Sequence, residues 1–385
     1  MKRFFLAVSF AAAVISASCA KKEVSTATTA PAQAERRSEG YKIGVILPLT
    51  GKYSVYGNST LHGIECAVGI FSPCSGLINA ELIIKDDAGD PLKSEAAVDE
   101  LMNFDRVNLI IGPLSSSSVE AAANKAVTYG VPLISLSQKE GIAKIGDNIF
   151  SVALTAESQV NALVDWAVNK KKLKTFAIIY PTTVYGETYK ELYREAVEKA
   201  QAKIVFSEGY GESTLDFGSI FRKEHKKFDA CFIPDSYRAV GYISATMAAE
   251  GIKGVQLMGI NRWNNPELID RGGETLQGSV FVDGFFDGGS SPTVSNFVSA
   301  FNQAYGINPT VLESQSFDAA KLAAKAMQLS GGAHAADIKN SLAALPAVEG
   351  STGDISFDSN REAIKRLFFL TVKEENIMEL ESANN

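Results

Sequence analysis

Four consecutive serines, Ser115 to Ser118, follow an apolar run and lead into a helical pattern over residues 117 to 129. A turn that leads into a helix exposes backbone N–H groups at the positive end of the helix dipole, and serine hydroxyls add further hydrogen-bond donors. This arrangement suits an anion such as a carboxylate. Helix capping alone is the alternative interpretation of Ser115 and Ser116, because any N-cap produces a similar pattern.

Three aspartates, Asp86, Asp87 and Asp90, look like a metal cluster, but they end a strand-like run just before Pro91. Proline suits the first turn of a helix, so we expect these carboxylates to cap that helix or to contact solvent. The three histidines lack the spacing of a zinc pair, and the Gly-x-Ser-x-Gly motif is absent. The sequence therefore predicts no enzyme, no metal site and no cofactor.

The cysteines divide into a pair and two single residues. Cys66 and Cys74 lie eight residues apart, and an exported pair at that spacing can form a disulfide, with two buried thiols as the alternative. Cys231 alternates with apolar neighbours and is predicted to be an inert core thiol. Cys19 follows the amino-terminal apolar segment.

The amino terminus has the features of a bacterial export signal. Two basic residues precede an uncharged apolar run from residue 4 to 17, which is too short to span a membrane. The small residues before Cys19 resemble a lipobox, so we predict a lipoprotein signal peptide over residues 1 to 18 and diacylation of Cys19. Ser16 stands where lipoboxes usually carry Leu, Val or Ile, and ordinary secretory cleavage after Ala20 is the alternative.

A polar segment follows the predicted signal peptide. Residues 21 to 40 contain no aromatic side chain and a single valine, so they cannot bury enough apolar surface to offset chain entropy. We predict that residues 19 to 40 form a flexible tether between a lipid anchor, the sole membrane attachment expected, and a folded body.

Composition limits the class of protein. The chain has 385 residues, 46% hydrophobic and 21% charged, which is ordinary for a globular protein with about two domains. Its 37 Lys and Arg against 44 Asp and Glu give a net charge of -7. Nucleic acid is not expected as a partner, because the chain has no general attraction for a phosphate backbone.

From Tyr41 onward, short apolar runs rich in β-branched residues alternate with helical patterns, which is typical of βαβ units on a parallel sheet. One set of such units ends near residue 136 and a second begins near residue 174. After residue 277 the rhythm changes, which indicates that the chain returns between two bodies. We predict an α/β fold of two Rossmann-like lobes with parallel sheets joined by a multi-strand hinge. The predicted lobe I comprises residues 41–155 plus 283–350, and lobe II comprises residues 156–282 plus 351–380.

Several motifs then occur in a fixed order. They are IGVILPLTGKYSVYGNSTLHGIECAVG (43–69), IIKDDAGDP (83–91), LIIGPLSSSSVEAAANKAVTYGVPLIS (109–135), VYGETY (184–189) and GSTGDISFDSNREAIKRLFFLTVKEENI (350–377). Together they resemble type I periplasmic binding proteins of the branched-chain amino acid class over residues 41 to 380. The resemblance implies a ligand held in a cleft between two lobes.

The resemblance also implies which side chains contact the ligand. In that family, the ligand's carboxylate is held by a serine-rich turn after the third strand and by the turn after the fourth, which points to Ser115, Ser116 and Ser137. Tyr185 resembles the aromatic residue that covers the ligand from the second lobe, and Tyr56 is the matching first-lobe candidate. For both tyrosines, packing at a strand-to-helix corner is the alternative.

The chain departs from the family at the residue that pairs with an amino acid's ammonium group. Asn261 stands in place of a glutamate, so a buried ammonium group would stay unpaired unless another acid, Asp235 by its position, replaces it. Either the ligand is anionic, paired with Arg262 and stacked on Trp263, or the cleft has become an interaction surface. A surface salt bridge for Arg262 and hinge packing for Trp263 are the alternatives.

The expected protein is a solute-binding lipoprotein of the periplasm or cell envelope, anchored to a membrane by lipid. It would bind a small polar ligand, an amino acid or a related compound, and present it to an ABC permease in the inner membrane. The alternative is a non-transport regulator of cell-wall synthesis, because residues 258 to 288 also resemble penicillin-binding-protein activator lipoproteins.

Overall fold

The computed structural model describes residues 41–70, 74, 80–211, 214, 216–222, 227–331 and 334–380. The predicted signal peptide, tether and Cys19 lie outside the described residues. Within the described part of the chain, no helix combines the length and apolar character needed to span a bilayer. The described residues all fall within one compact unit.

The first sheet has five parallel strands in the order β2-β1-β3-β4-β5. Their bounds are β1 (Tyr41–Leu47), β2 (Ala80–Asp86), β3 (Leu109–Ile111), β4 (Leu133–Ser135) and β5 (Ile149–Ser151), and the connecting helices are α1 (Ser54–Val68), α2 (Pro91–Glu100) and α3 (Val119–Tyr129). All residues of β3, β4 and β5 are buried, as expected of strands covered by helices on both faces. Because the strands are parallel, their carboxyl ends meet at one edge.

The second sheet has seven strands in the order β15-β14-β10-β9-β8-β6-β7. The parallel strands are β6 (Thr175–Pro181), β7 (Lys203–Tyr210), β8 (Ala230–Phe232), β9 (Gln256–Gly259) and β10 (Val280–Asp283), and the antiparallel ones are β14 (Phe368–Lys373) and β15 (Asn376–Glu379). Its helices are α4 (Ala156–Asp165), α5 (Val184–Lys199), α6 (Gly218–Arg222), α7 (Tyr237–Ala249) and α8 (Glu267–Gly272).

The remaining elements connect the two sheets. They are α9 (Pro292–Tyr305), α10 (Val311–Ser330), α11 (Ala335–Ala343) and a small antiparallel sheet of β11 (Val348–Glu349), β12 (Asp354–Phe357) and β13 (Ala363–Ile364). Helix α10 packs along α1, and Gly63 permits this contact, since a Cβ there would lie 2.2 Å from Ser316 Oγ. Helix α9 packs instead into the apolar core of the second sheet through Phe297 and Phe301.

The chain therefore passes between the two sheets three times: after β5, before α10, and between β13 and β14. This topology confirms the predicted α/β fold with two parallel sheets. The exact lobe boundaries stay a prediction.

Polar side chains that cap the first turn stabilise the starts of several helices. Asp90 accepts hydrogen bonds from the backbone N–H groups of Leu92 and Lys93 at the start of α2, with Pro91 in the first turn, which confirms the predicted capping. Thr310 and Glu313 form a capping box at the start of α10. The aspartate cluster thus serves the local structure.

The structure joins Cys66, on α1, to Cys74 by a disulfide bond. Cys231 is fully buried in β8, and burial raises the pKa of its thiol. A buried thiol that resists ionisation is unreactive, which agrees with the core role predicted for Cys231.

A buried charged cluster lies where α10 meets two of these passages, the one after β5 and the one between β13 and β14. Lys365, between β13 and β14, places its Nζ 3.8 Å from Asp318 Oδ2 on α10, and these side chains are only 5% and 1% exposed. Gly284 follows β10, and a Cβ there would lie 3.6 Å from both Lys365 Nζ and Leu154, which belongs to the passage after β5. Burial raises the pKa of Asp318, and raises that of Asp283 to about 7, while Lys365 opposes both shifts.

Candidate functional site

A cavity of about 540 Å³ opens at the carboxyl edge of the first sheet. Three predicted site residues line it: Tyr56, Ser115 and Ser116. The other lining residues are Pro48, Tyr53, Leu114, Ser117, Leu136, Gln138, Val311, Leu312 and Gln315. None of these described side chains carries a charge, so this wall offers neutral hydrogen-bond groups and apolar surface to a ligand.

The serine turn is built so that one hydroxyl stays free. Ser115 Oγ donates to Ser118 Oγ at 2.9 Å, and Ser117 Oγ donates to the backbone oxygen of Gly89 at 3.1 Å. Ser118 occupies the N-cap position of α3, yet its side chain makes no capping hydrogen bond. Ser116 is exposed, and among the described residues nothing bonds to its hydroxyl. Its hydroxyl is therefore available to an anion.

Two tyrosines and a glutamine complete this wall. Tyr53 and Tyr56 are 37% and 54% exposed; Tyr53 is the N-cap residue of α1, and Tyr56 lies in its first turn. Gln315 on α10 is buried, and its Nε2 donates to the backbone oxygen of Leu136 at 2.7 Å. These side chains offer a ligand aromatic faces and amide groups.

Ser137 does not reach the cavity. It is fully buried, its N–H donates to Ser135 Oγ at 3.1 Å, and its own Oγ accepts from the N–H of Lys139 at 3.2 Å. These bonds hold Ser137 within the turn after β4, and its contact with a ligand stays a prediction. Its neighbour Gln138 is exposed and lines the cavity instead.

Four polar residues meet at the carboxyl edge of the second sheet. Tyr185, Tyr210, Asp235 and Arg262 lie at or just beyond the ends of β6, β7, β8 and β9. The Arg262 guanidinium lies over the Tyr185 ring, 5.2 Å from its centroid. Tyr210 Oη donates to Asp235 Oδ2 at 2.5 Å, and Asp235 Oδ1 accepts from the N–H of Ser236 at 2.6 Å. The edge therefore presents an exposed cation next to a carboxylate that is already hydrogen-bonded.

Both phenols at this edge stay protonated at neutral pH. Burial raises the pKa of Tyr185, and the charge of nearby Arg262 opposes that shift. Burial and the hydrogen bond to Asp235 raise the pKa of Tyr210. Each hydroxyl therefore remains a hydrogen-bond donor.

The backbone N–H of Asn261 is hydrogen-bonded to a buried side chain of the second lobe. Its N–H donates to Gln159 Oε1 at 2.9 Å, and Gln159 Nε2 donates to Tyr189 Oη at 3.0 Å. Asn261 also lines a second cavity, of about 750 Å³, which shares Val311 with the first cavity. Val311, the first residue of α10, therefore lines both cavities.

Trp263 belongs to the core and not to the binding surface. It is fully buried, and its indole N–H donates to the backbone oxygen of Ile233 at 3.1 Å. Gly259 makes room for the indole, since a Cβ there would lie 2.1 Å from it. The predicted stacking of Trp263 on a ligand is therefore replaced by packing, which was its alternative interpretation.

Sequence reasoning missed Tyr210, Gln138 and Gln315. Tyr210 could have been found, because it is the last residue of a parallel strand and so lies at the same edge as Asp235. Gln315 had no local signal, because it reaches the cavity from α10, far away in sequence.

Known proteins share this architecture. The Leu/Ile/Val-binding protein of Escherichia coli strain K12 is 26% identical over 246 residues, which cover 63% of this chain and 66% of that protein's length. A putative branched-chain amino acid ABC transporter from Rhodospirillum rubrum has a TM-score of 0.80 at 23% identity, covering 89% of this chain and 100% of the other. A solute-binding protein of an ABC transporter from Rhodopseudomonas palustris BisB5, in complex with 3,4-dihydroxybenzoic acid, has a TM-score of 0.69 at 23% identity, covering 89% and 96%.

The two structural likenesses support the fold of two parallel-sheet lobes. The predicted resemblance is confirmed by a family model described as periplasmic binding protein, which matches residues 40–376. Since this match spans most of the sequence, the chain belongs to the periplasmic binding protein family.

Proposed function

We propose that this protein is an extracytoplasmic solute-binding lipoprotein that binds a small carboxylate-bearing ligand, an amino acid or a related compound, for uptake by an ABC-type permease. The observation that carries this proposal is the uncharged cavity at the first-sheet edge, which the exposed Ser116, with its free hydroxyl, lines. A neutral hydroxyl donor stabilises a carboxylate without a counter-charge.

The apolar part of the cavity suits the rest of such a ligand. Tyr53, Tyr56, Leu114 and Leu312 supply aromatic and aliphatic surface beside the serines. Ligand sites of this kind are mostly apolar, with a few polar groups that fix the ligand's orientation. We therefore infer a ligand with a carboxylate at one end and a carbon skeleton behind it.

The relatives support this choice. The Escherichia coli relative is named for leucine, isoleucine and valine, and the Rhodopseudomonas palustris structure contains 3,4-dihydroxybenzoic acid. All of these compounds carry a carboxylate on an apolar skeleton. The alternative, a regulator of cell-wall synthesis, is not favoured, because the relatives compared with this chain are binding proteins or transporter components.

Ser116→Ala is expected to weaken binding by about 0.5–3 kcal/mol, because it removes a hydrogen bond to a charged group. The measurement is isothermal titration calorimetry of the purified protein with leucine, 3,4-dihydroxybenzoate and short aliphatic acids, followed by the variant with the tightest binder. Ser299→Ala, on the exposed face of α9, is the matched control and should leave affinity unchanged. Equal affinity of Ser116→Ala and the wild type would remove Ser116 from the site.

The lipid anchor is proposed from the sequence around Cys19. Cys19→Ala is expected to move the protein from the membrane fraction to the soluble fraction, because diacylation supplies the attachment. Cell fractionation followed by immunoblotting measures this shift. If the variant stays with the membranes, the lipoprotein assignment is wrong, although the binding function is unaffected.

A further inference from the structure

Arg262 is an exposed cation without an acidic partner at the carboxyl edge of the second sheet. Among the residues that the structure describes, no carboxylate oxygen lies within 4 Å of its guanidinium. The contact that orients it is the ring of Tyr185, 5.2 Å away at the centroid. A guanidinium that stacks on an aromatic ring keeps the N–H groups along its edge free.

The neighbouring acid already accepts two hydrogen bonds. The two oxygens of Asp235 accept hydrogen bonds from Tyr210 Oη at 2.5 Å and from the N–H of Ser236 at 2.6 Å. An incoming ammonium group would compete with these donors for the same carboxylate and would also meet the positive charge of Arg262. An incoming carboxylate would find free guanidinium N–H groups in a geometry that suits two parallel hydrogen bonds.

Resting on the proposed function, we infer that the ligand is a small diacid, with one carboxylate at the serine turn of Ser115 to Ser117 and a second acidic group bound by Arg262. Tyr185 holds the guanidinium in place, and its hydroxyl is a further donor at the same edge. The serine turn lies at the carboxyl edge of the first sheet and Arg262 at the carboxyl edge of the second, so a ligand held between these two edges would meet both groups.

The two ends of the site then differ in charge. The first-sheet wall binds a carboxylate with neutral donors, whereas the second-sheet edge binds the other acidic group with a cation. A zwitterionic amino acid places its ammonium group next to the positive charge of Arg262, which costs binding free energy. The arrangement therefore selects diacids over monocarboxylates and over neutral amino acids.

Matched pairs of probes test this inference by isothermal titration calorimetry of the purified protein. They are the straight-chain diacids from succinate to suberate against monocarboxylates of the same length, terephthalate against benzoate, and leucine. We expect the best diacid to bind about tenfold or more tightly than its monocarboxylate partner, from the strength of a charge-assisted hydrogen bond. Arg262→Ala should abolish this preference, while Arg262→Lys should retain part of it.

Arg238→Ala is the control. Arg238 is also exposed and also stacks on a tyrosine, with its Cζ 5.5 Å from the Tyr237 centroid, but it interacts with Glu267 on α8. The Arg238→Ala variant removes the same charge as Arg262→Ala and should leave the preference for diacids intact.

Two results would overturn the inference, and they differ in what they mean for the proposed function. If monocarboxylates or leucine bind as tightly as any diacid, and Arg262→Ala binds like the wild type, the diacid assignment is wrong while solute binding stands. If no probe binds to folded protein, the proposed function fails and the diacid assignment fails with it.

Discussion

Trp263→Ala is expected to lower the free energy of unfolding by about 3–5 kcal/mol, the usual cost of emptying a large aromatic site in a core. The indole is fully buried, packs against Phe281 and donates to the backbone oxygen of Ile233. Its removal leaves a cavity beside Gly259 and an unpaired backbone acceptor. Equilibrium urea unfolding, followed by circular dichroism, measures the change.

Trp263→Phe is the companion variant. It keeps most of the buried apolar volume and loses the indole hydrogen bond, so its loss of stability should be clearly smaller than that of Trp263→Ala. If Trp263→Ala unfolds like the wild type but loses ligand affinity, Trp263 is a binding residue and its assignment to the core is wrong.

Lys365→Met is expected to destabilise the protein by about 3–5 kcal/mol near pH 8, because it leaves Asp318 as an uncompensated buried charge. Lys365 Nζ lies 3.8 Å from Asp318 Oδ2, and both side chains are almost completely buried where the chain passes between the sheets. Urea unfolding of wild type and variant at several pH values measures the effect.

The loss should depend on pH with a definite sign. Burial raises the pKa of Asp318, and Lys365 opposes that shift, so removing the lysine raises the folded-state pKa further. The folded variant then holds a proton that the unfolded chain releases above about pH 4, so its stability falls as pH rises. The destabilisation should therefore be smaller at pH 5 than at pH 8.

The double variant Asp318→Asn with Lys365→Met removes both charges. It should recover much of the stability and flatten the pH dependence, since a neutral amide has no proton to exchange. A Lys365→Met variant whose loss of stability is the same at pH 5 and pH 8 would contradict the buried pairing with Asp318.

The strands and helices of the fold could be predicted from the sequence where a distinct apolar run or a proline marked them. Strand β1 coincides with the run from Tyr41 to Leu47, and Pro91 marks the start of α2. Strand β5 was missed, although it is as short and as buried as β3 and β4, whose apolar runs were recognised. Helix α4 was missed although Thr155 caps it through the N–H of Ser158, a signal present in the sequence.

Site residues could be predicted from the sequence where they follow the end of a parallel strand, because such positions lie at the carboxyl edge of the sheet. Ser116, Tyr185 and Arg262 follow strand ends and lie at the sheet edges. Ser137 and Trp263 also follow strand ends, but the local turn directs both side chains inward. That direction depends on backbone geometry and on space beside neighbouring residues, which sequence spacing does not specify.

Thermal unfolding of the purified protein against a ligand panel tests the central claim, solute binding, most directly. The panel contains amino acids, aromatic and aliphatic mono- and diacids, small peptides and cell-wall fragments. A ligand present at about 1,000 times its dissociation constant stabilises the folded state by about 4 kcal/mol. We predict a clear rise in Tm with carboxylate-bearing compounds. Protein that unfolds cooperatively at the same Tm with every compound would contradict the account.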